Sequence, residues 1–271
     1  MELKDKTMVI TGGASGIGFA TCEALMKEGL EGIAVVDRSE AVNDACHRLN
    51  SEAGGALYHP YIGDVTCEDF RRSVFADLKK RFGVVHMCVP AAGITRDRLA
   101  VKINRDTGAS DLYSVEEFRS VIEINLLAPI YWAMESIATM AEDRHRRGVG
   151  RWDPKELVQG AIVLIGSVSS AGNKGQISYA TTKAGLDGAQ ATLAKEAIFH
   201  GVRCCIIHPG YTDTPMVQAL GDEMINEMIL PNTLLRRLLR PDEVAEGIVF
   251  MLRSSAASGS LWLDAGWHPA T

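Results

Sequence analysis

The chain has 271 residues, 46% hydrophobic and 23% charged, with 26 Gly and 9 Pro, enough for a substantial core; a stapled mini-protein, a fibre and a disordered chain are excluded. A formal net charge of −6 repels phosphate backbones, so nucleic acid is not an expected partner. Six cysteines without CxxC spacing, a charged start from Met1 to Lys6, and no apolar run near about 18 residues point to a reduced, cytoplasmic protein without an export signal or membrane span.

Short β-branched runs alternate with amphipathic ones along the chain. A strand at 7–11 leads through a glycine turn to a helix at 18–27; strand 32–36 precedes helix 40–53, and strand 56–62 precedes helix 68–82. Strand 84–89 is followed by helix 116–141, strand 160–166 by helix 179–200, and strand 202–208 by helix 242–253, with a last strand at 260–263. This alternation predicts an α/β fold, one domain over 1–271 with a doubly wound, seven-stranded parallel sheet and helices on both faces. Two charged stretches, 96–112 and 143–155, read as loop insertions.

The turn after the first strand reads Thr11-Gly12-Gly13-Ala14-Ser15-Gly16-Ile17-Gly18. Gly12 suits a tight turn, Gly16 a close backbone approach to a pyrophosphate, and Gly18 close helix–strand packing, while the helix N-terminus offers N–H donors to an anion. Phe19-Ala20 stand where a P-loop needs Lys and Ser/Thr, so an ATPase is excluded. Asp37 closes the second strand, 19 positions after Gly18, where a carboxylate can accept both ribose hydroxyls of an adenosine and repel a 2′-phosphate; Arg38 beside it weakens that discrimination. The alternative for Asp37 is a turn or capping residue. Asp64-Val65 stands in the same way after the third strand, at the adenine position or as a plain helix cap.

Tyr179 and Lys183 are four apart and share a helix face. A phenol of pKa about 10 is a poor base at neutral pH, and a nearby ammonium would lower that value. Ser167 follows the strand 160–166 at the carboxyl edge of the sheet, outside any G-x-S-x-G elbow. Its hydroxyl could polarise a carbonyl, or serve only as a loop hydroxyl with Ser169 and Ser170 as competitors.

Thr11–Gly18 with Ala92-Gly93, Asn125, Ser167, Tyr179/Lys183 and Pro209-Gly210, in this order and spacing, resembles the short-chain dehydrogenases/reductases over essentially the whole chain. Ala92-Gly93-Ile94-Thr95-Arg96-Asp97 and the run 166–176 are similar to the 3-ketoacyl-carrier-protein reductase branch. The resemblance implies a Rossmann fold and hydride exchange between a nicotinamide cofactor and a secondary alcohol or ketone. It gives Ser167 the substrate oxygen, Tyr179 the proton and Lys183 the nicotinamide ribose, with Asn125 completing a water-mediated relay. The cofactor set it implies is Gly12, Ser15, Gly16, Ile17, Gly18, Asp37, Arg38, Asp64, Val65, Ala92, Gly93, Tyr179, Lys183, Pro209, Gly210, Thr212 and Thr214. Asp37 selects NAD over NADP, and no metal ligand set is visible. Dimers or tetramers are implied, with Trp262 and Trp267 at a subunit contact.

Pro90-Ala91 replaces the family's Asn-Asn, which would weaken the sheet there. The apolar stretch 214–240, with Met216, Leu220, Met224, Met228, Leu234 and Leu235, reads as a lid over a hydrophobic substrate or as plain core. His145-Arg146-Arg147 with Arg151 would hold a phosphate or sit in solvent at a helix end. The leading expectation is an NAD-dependent dehydrogenase of hydrophobic secondary alcohols, whether alicyclic, steroid or hydroxyacyl. The alternatives are an NADPH-dependent ketoacyl reductase and a non-catalytic dinucleotide-binding regulator.

Overall fold

The computed structural model describes residues 1–267; the predicted domain's last four lie outside the described residues. Seven parallel strands form one sheet in the order β3-β2-β1-β4-β7-β8-β9. They are β1 (Thr7–Thr11), β2 (Gly32–Asp37), β3 (Tyr58–Ile62), β4 (Met87–Pro90), β7 (Gly160–Ile165), β8 (Val202–Pro209) and β9 (Gly259–Leu263); β5 (Val101–Ile103) and β6 (Ser110–Leu112) pair separately as an antiparallel hairpin.

The helices are α1 (Gly16–Leu25), α2 (Ala41–Ala53), α3 (Glu68–Phe82), α4 (Val115–Ile122), α5 (Ala128–Arg146), α6 (Ile177–Ala197), α7 (Pro215–Gln218) and α8 (Pro241–Arg253). The two-residue period of the strands divides the core. Met8 and Ile10 of β1, with Ile33, Val35 and Met87, face α1, α2 and α8; Val9, with Ala34, Val36, Cys88 and Ile162, faces α3, α5 and α6 around the fully buried Trp132. The chain adds strands on one side of β1 and then, from β4, on the other, so the order reverses between β1 and β4. Such a reversal opens a crevice at the carboxyl ends of those two strands.

Three stretches differ from expectation. Residues 96–112 hold the β5–β6 hairpin, whose three-residue strands are too short to show a period; Asn104 Oδ1 accepts the Asp106 and Thr107 N–H groups at 2.9 and 3.1 Å and starts the turn. Asp143–Arg146 are not loop but the last turn of α5, where the buried Arg144 binds Glu156 at 2.7 Å and draws the following segment back onto the helix. Arg146 and Arg147 pair with Asp143, at 2.5 and 2.7 Å, so these two cations of the basic run are engaged at the helix end.

Helix 116–141 of the sequence reading is a longer run, Val115–Arg146, interrupted by a π turn at Glu123–Leu127. By length and composition that run could cross a membrane, contrary to the expectation of no such stretch. Its apolar character serves the sheet: Trp132, Ala133 and Met140 are buried against it, and Trp132 Nε1 donates to the Val65 carbonyl at 3.0 Å. Five cysteines are buried, and Cys67 is exposed.

Candidate active site

The glycine turn meets the end of β4 backbone to backbone. Gly12 has φ +67°, and a Cβ there would lie 2.7 Å from the Ala92 nitrogen. At Gly18 a Cβ would lie 2.3 Å from the Gly12 carbonyl oxygen, so its lack of a side chain lets the first turn of α1 pack on the loop itself rather than on a strand. Ser15 caps α1 without a side-chain hydrogen bond. Gly16, Ile17 and Gly18 of the first turn of α1, where N–H groups lack helical acceptors, line the crevice.

The crevice is a cleft of about 370 Å³. Gly12, Ser15, Gly16, Ile17 and Gly18 form one wall. Asp37, Arg38, Asp64 and Val65 stand at one end, Ala92 and Gly93 line it between, and Tyr179, Lys183 and Thr214 stand at the other end. Asp37 is fixed: Oδ2 accepts the Ala14 N–H at 3.1 Å and Oδ1 the Ser39 N–H at 3.0 Å. Asp64 caps its own turn, taking the Thr66 N–H and hydroxyl at 2.8 and 2.7 Å, so its capping role holds while it also lines the cleft.

Ser167 is buried just behind the Tyr179 end, outside the lining; its Oγ accepts the Ser169 N–H at 3.1 Å and its hydroxyl hydrogen-bonds the Tyr179 phenol. Lys183 is buried; its ammonium donates to the Ile165 carbonyl at 2.7 Å and lies 5.4 Å from the centre of the Tyr179 ring. Burial pulls Lys183 down to about 8, still mostly charged at neutral pH. Burial pushes Tyr179 up to about 12, opposed by the Ser167 hydroxyl and reinforced by Asp97 and Tyr211. The lowering of the tyrosine by Lys183 that its spacing suggests is therefore not found. The ammonium is tied to a carbonyl and sits beside the ring, and the phenol stays protonated at neutral pH.

Asn125 does not line the cleft. It is buried in the π turn, where its amide oxygen accepts the Ile94 N–H at 2.9 Å and its amide nitrogen donates to the Ile94 carbonyl at 2.8 Å. Both side-chain polar atoms are spent holding the segment after Gly93. Pro209, Gly210 and Thr212 also stay behind the lining. Thr212 Oγ1 donates to the Gly210 carbonyl at 3.1 Å, and these residues carry Thr214, whose methyl group approaches Gly16.

The Pro90-Ala91 pair does not leave the sheet loose. Pro90 pairs with Thr11 in the β1–β4 ladder, the Ala91 N–H donates to the Thr11 carbonyl at 3.1 Å, and the Ala92 N–H to Thr11 Oγ1 at 3.2 Å. Sequence reasoning missed Thr11 and Ile94 in these ties, and missed Gln176, which takes the Ser169 hydroxyl at 2.8 Å and donates to Asp97 at 2.7 Å beside Tyr179. None carries a spacing signal of its own. Trp262 stacks on His208 and Trp267 meets Tyr211 edge-on.

A family profile described as short chain dehydrogenase matches residues 6–225. The 3-oxoacyl-[acyl-carrier-protein] reductase of Thermotoga maritima is 32% identical over 98% of this chain and 99% of its own length. The acetoacetyl-CoA reductase of Synechocystis is 31% identical over 95% of this chain and 92% of its own. A crystal structure of gox2181 shares the fold with a TM-score of 0.82 at 24% identity, covering 98% of this chain and 96% of that one.

Proposed function

The chain belongs to the short-chain dehydrogenase family, and from that premise we propose an NAD-dependent oxidoreductase acting on a hydrophobic secondary alcohol or its ketone. One observation carries the reading: a phenol and a lysine ammonium stand together at one end of a glycine-walled cleft whose other end holds a fixed carboxylate, with the buried Ser167 hydroxyl against the phenol just behind the lining. The residues present fit a nicotinamide dinucleotide. The turn lacks side chains where a Cβ would strike backbone, the first turn of α1 offers unpaired donors to a pyrophosphate, and Asp37 is aimed at a ribose. When bound, such a cofactor supplies the hydride exchange.

The protein's own part is to orient and to move one proton. Ser167 donates to the substrate oxygen, Tyr179 gives its proton to that oxygen in reduction and takes it in oxidation, and Lys183 keeps two ammonium protons for the cofactor ribose after its bond to Ile165. Pushed up by burial, the phenol rests protonated at neutral pH, the form that reduction consumes and oxidation regenerates.

Residues 214–240 act as a lid. Of its larger apolar groups Ile225, Ile229 and Leu239 are buried, while Met216, Leu220, Met224, Met228, Leu234 and Leu235 stay exposed, which supports the lid over plain core and an apolar substrate beneath it. The names of the two relatives favour a 3-oxoacyl thioester as that substrate, a second reading in which NADPH replaces NADH. We also read the exposed Tyr131, Met134 and Phe250 as faces of a homodimer or homotetramer. Initial rates with NADH and NADPH against acyl thioesters, cyclic ketones and oxosteroids test the substrate. Tyr179→Phe should lower turnover by about 10²–10⁴-fold with dinucleotide affinity nearly intact; normal turnover in that variant refutes the reading.

A further inference from the structure

Behind Ser167 stands a residue that the proposed chemistry does not use. His208 of β8 is fully buried, and its Nδ1 lies 3.3 Å from the Ser167 nitrogen and 3.2 Å from the Ser167 carbonyl oxygen. Its Nε2 lies 3.1 Å from Asp187 Oδ1, with the carboxylate off the ring's N–H axis, so the contact is mainly electrostatic. The ring stacks on Trp262 at 4.1 Å between centres and 12° between planes. Gly166 makes room for it: a Cβ there would lie 2.5 Å from His208 Nδ1.

Asp187 follows Tyr179 and Lys183 at the same four-residue step along α6, so these three share a helix face. Through His208 the helix that carries the phenol and the ammonium is tied to the backbone of the residue that carries the hydroxyl. Asp187 also takes the Ser170 hydroxyl, one turn further along the same loop.

The ring's protonation decides which Ser167 atom it can hold. With the proton on Nε2 alone, that nitrogen faces the Asp187 carboxylate and Nδ1 accepts the Ser167 N–H. An imidazolium carries a proton on both nitrogens, so Nδ1 can then only donate, to the Ser167 carbonyl, and the buried Ser167 N–H loses its acceptor. We propose that His208 and Asp187 form a buried strut that positions the Ser167 hydroxyl, holding it through the Ser167 N–H while the ring is neutral and releasing that contact when the ring is protonated.

Among the described residues the charged groups facing the ring are Asp187 and Lys183, both on α6; β7 and its loop present the neutral Ser167, and β9 the neutral indole of Trp262. Burial and Lys183 work against the imidazolium, and Asp187 works for it. The neutral form is therefore the resting one, and the carboxylate sets where acid disrupts it. His208 acts through Ser167 and is a positioning residue.

This inference rests on the role given to Ser167, and two readouts keep the questions apart. The first is the pH profile of kcat with acetoacetyl-CoA and NADH as probes. Turnover should fall at least tenfold on the acid side with the KM of the probe nearly constant. His208→Asn, whose amide oxygen can stand near the Nδ1 position without titrating, should keep at least a tenth of the neutral turnover and lose the acid fall. Asp187→Asn, a half-exposed position that spares the core, should move the fall to lower pH by about one unit. The second readout, nitrogen chemical shifts of the His208 ring in the folded protein, does not depend on turnover and should show the Nε2–H tautomer at pH 7. An acid fall unchanged in both variants overturns the strut, as does a ring that is imidazolium or Nδ1–H at pH 7. Normal turnover of Tyr179→Phe would instead refute the functional reading, and the ring tautomer would still judge the strut.

Discussion

Replacing Asp37 by Asn tests the cofactor choice at the residue that sets it. The carboxylate cannot swing away from a 2′-phosphate without giving up the Ala14 and Ser39 N–H groups it accepts at 3.1 and 3.0 Å. Two like charges about 5 Å apart at an effective dielectric of about 20–40 repel by roughly 2–3 kcal/mol, which is about 30–150-fold in binding. Arg38, which lines the same end of the cleft, offsets part of this, so a preference of tens-fold for NADH is expected. Asparagine keeps an amide oxygen for the Ala14 N–H and removes the charge. Its ratio of kcat/KM for NADPH over NADH should rise about 10–100-fold, with the NADH value itself falling several-fold as a charge-assisted bond to the ribose becomes neutral. Initial rates with both cofactors at one substrate concentration measure the ratio. Equal use of the two by the parent protein, or a ratio unmoved by the substitution, would refute the assignment.

Asn125→Ala leaves the Ile94 N–H and carbonyl without their partner; a loss of about 2–4 kcal/mol and a Tm lower by roughly 5–10 °C are expected, and an unchanged melting curve would show the pairing to be idle. Gly18→Ala places a methyl group 2.3 Å from the Gly12 oxygen; dinucleotide affinity by calorimetry should weaken at least tenfold, and unchanged affinity would mean that the loop relaxes freely. His86 accepts the Thr7 N–H at 3.2 Å, and burial pushes its pKa down to about 4. Because the unfolded chain takes up that proton at higher pH, stability should be full above about 6.5 and decline as pH falls toward 4, by up to about 3 kcal/mol; denaturant titrations of His86→Asn should show a flatter acid slope.

What could be read from the residues was whatever a local pattern encodes. The sheet emerged from strand–helix alternation because each βα unit buries its own faces, and helix α3 was read to its observed ends, Glu68–Phe82. The glycine turn and the Tyr179/Lys183 step were legible for the same reason: their chemistry depends on neighbours a few positions away. Asn125 was found but its partner was not, since only the fold brings Ile94, 31 positions earlier, to its amide. His208 went unseen because its partners Ser167 and Asp187 reach it from β7 and α6, and no spacing links the three. The upward push of burial on the tyrosine was not legible because sequence spacing reports the distance to an ammonium and says nothing of desolvation.

The π turn at Glu123–Leu127 fits more chain into one coil than an α turn takes. A helix absorbs such a surplus locally, so α4 and α5 on either side keep the angular phase that seats Val121 and Trp132 in the interior. Shortening the chain by a single residue inside the turn should accordingly straighten it while the flanking coils stay seated, and take away only the reach of Asn125 toward Ile94. Anchorage of the cleft wall and integrity of the scaffold are thus separable traits, adjustable one codon at a time.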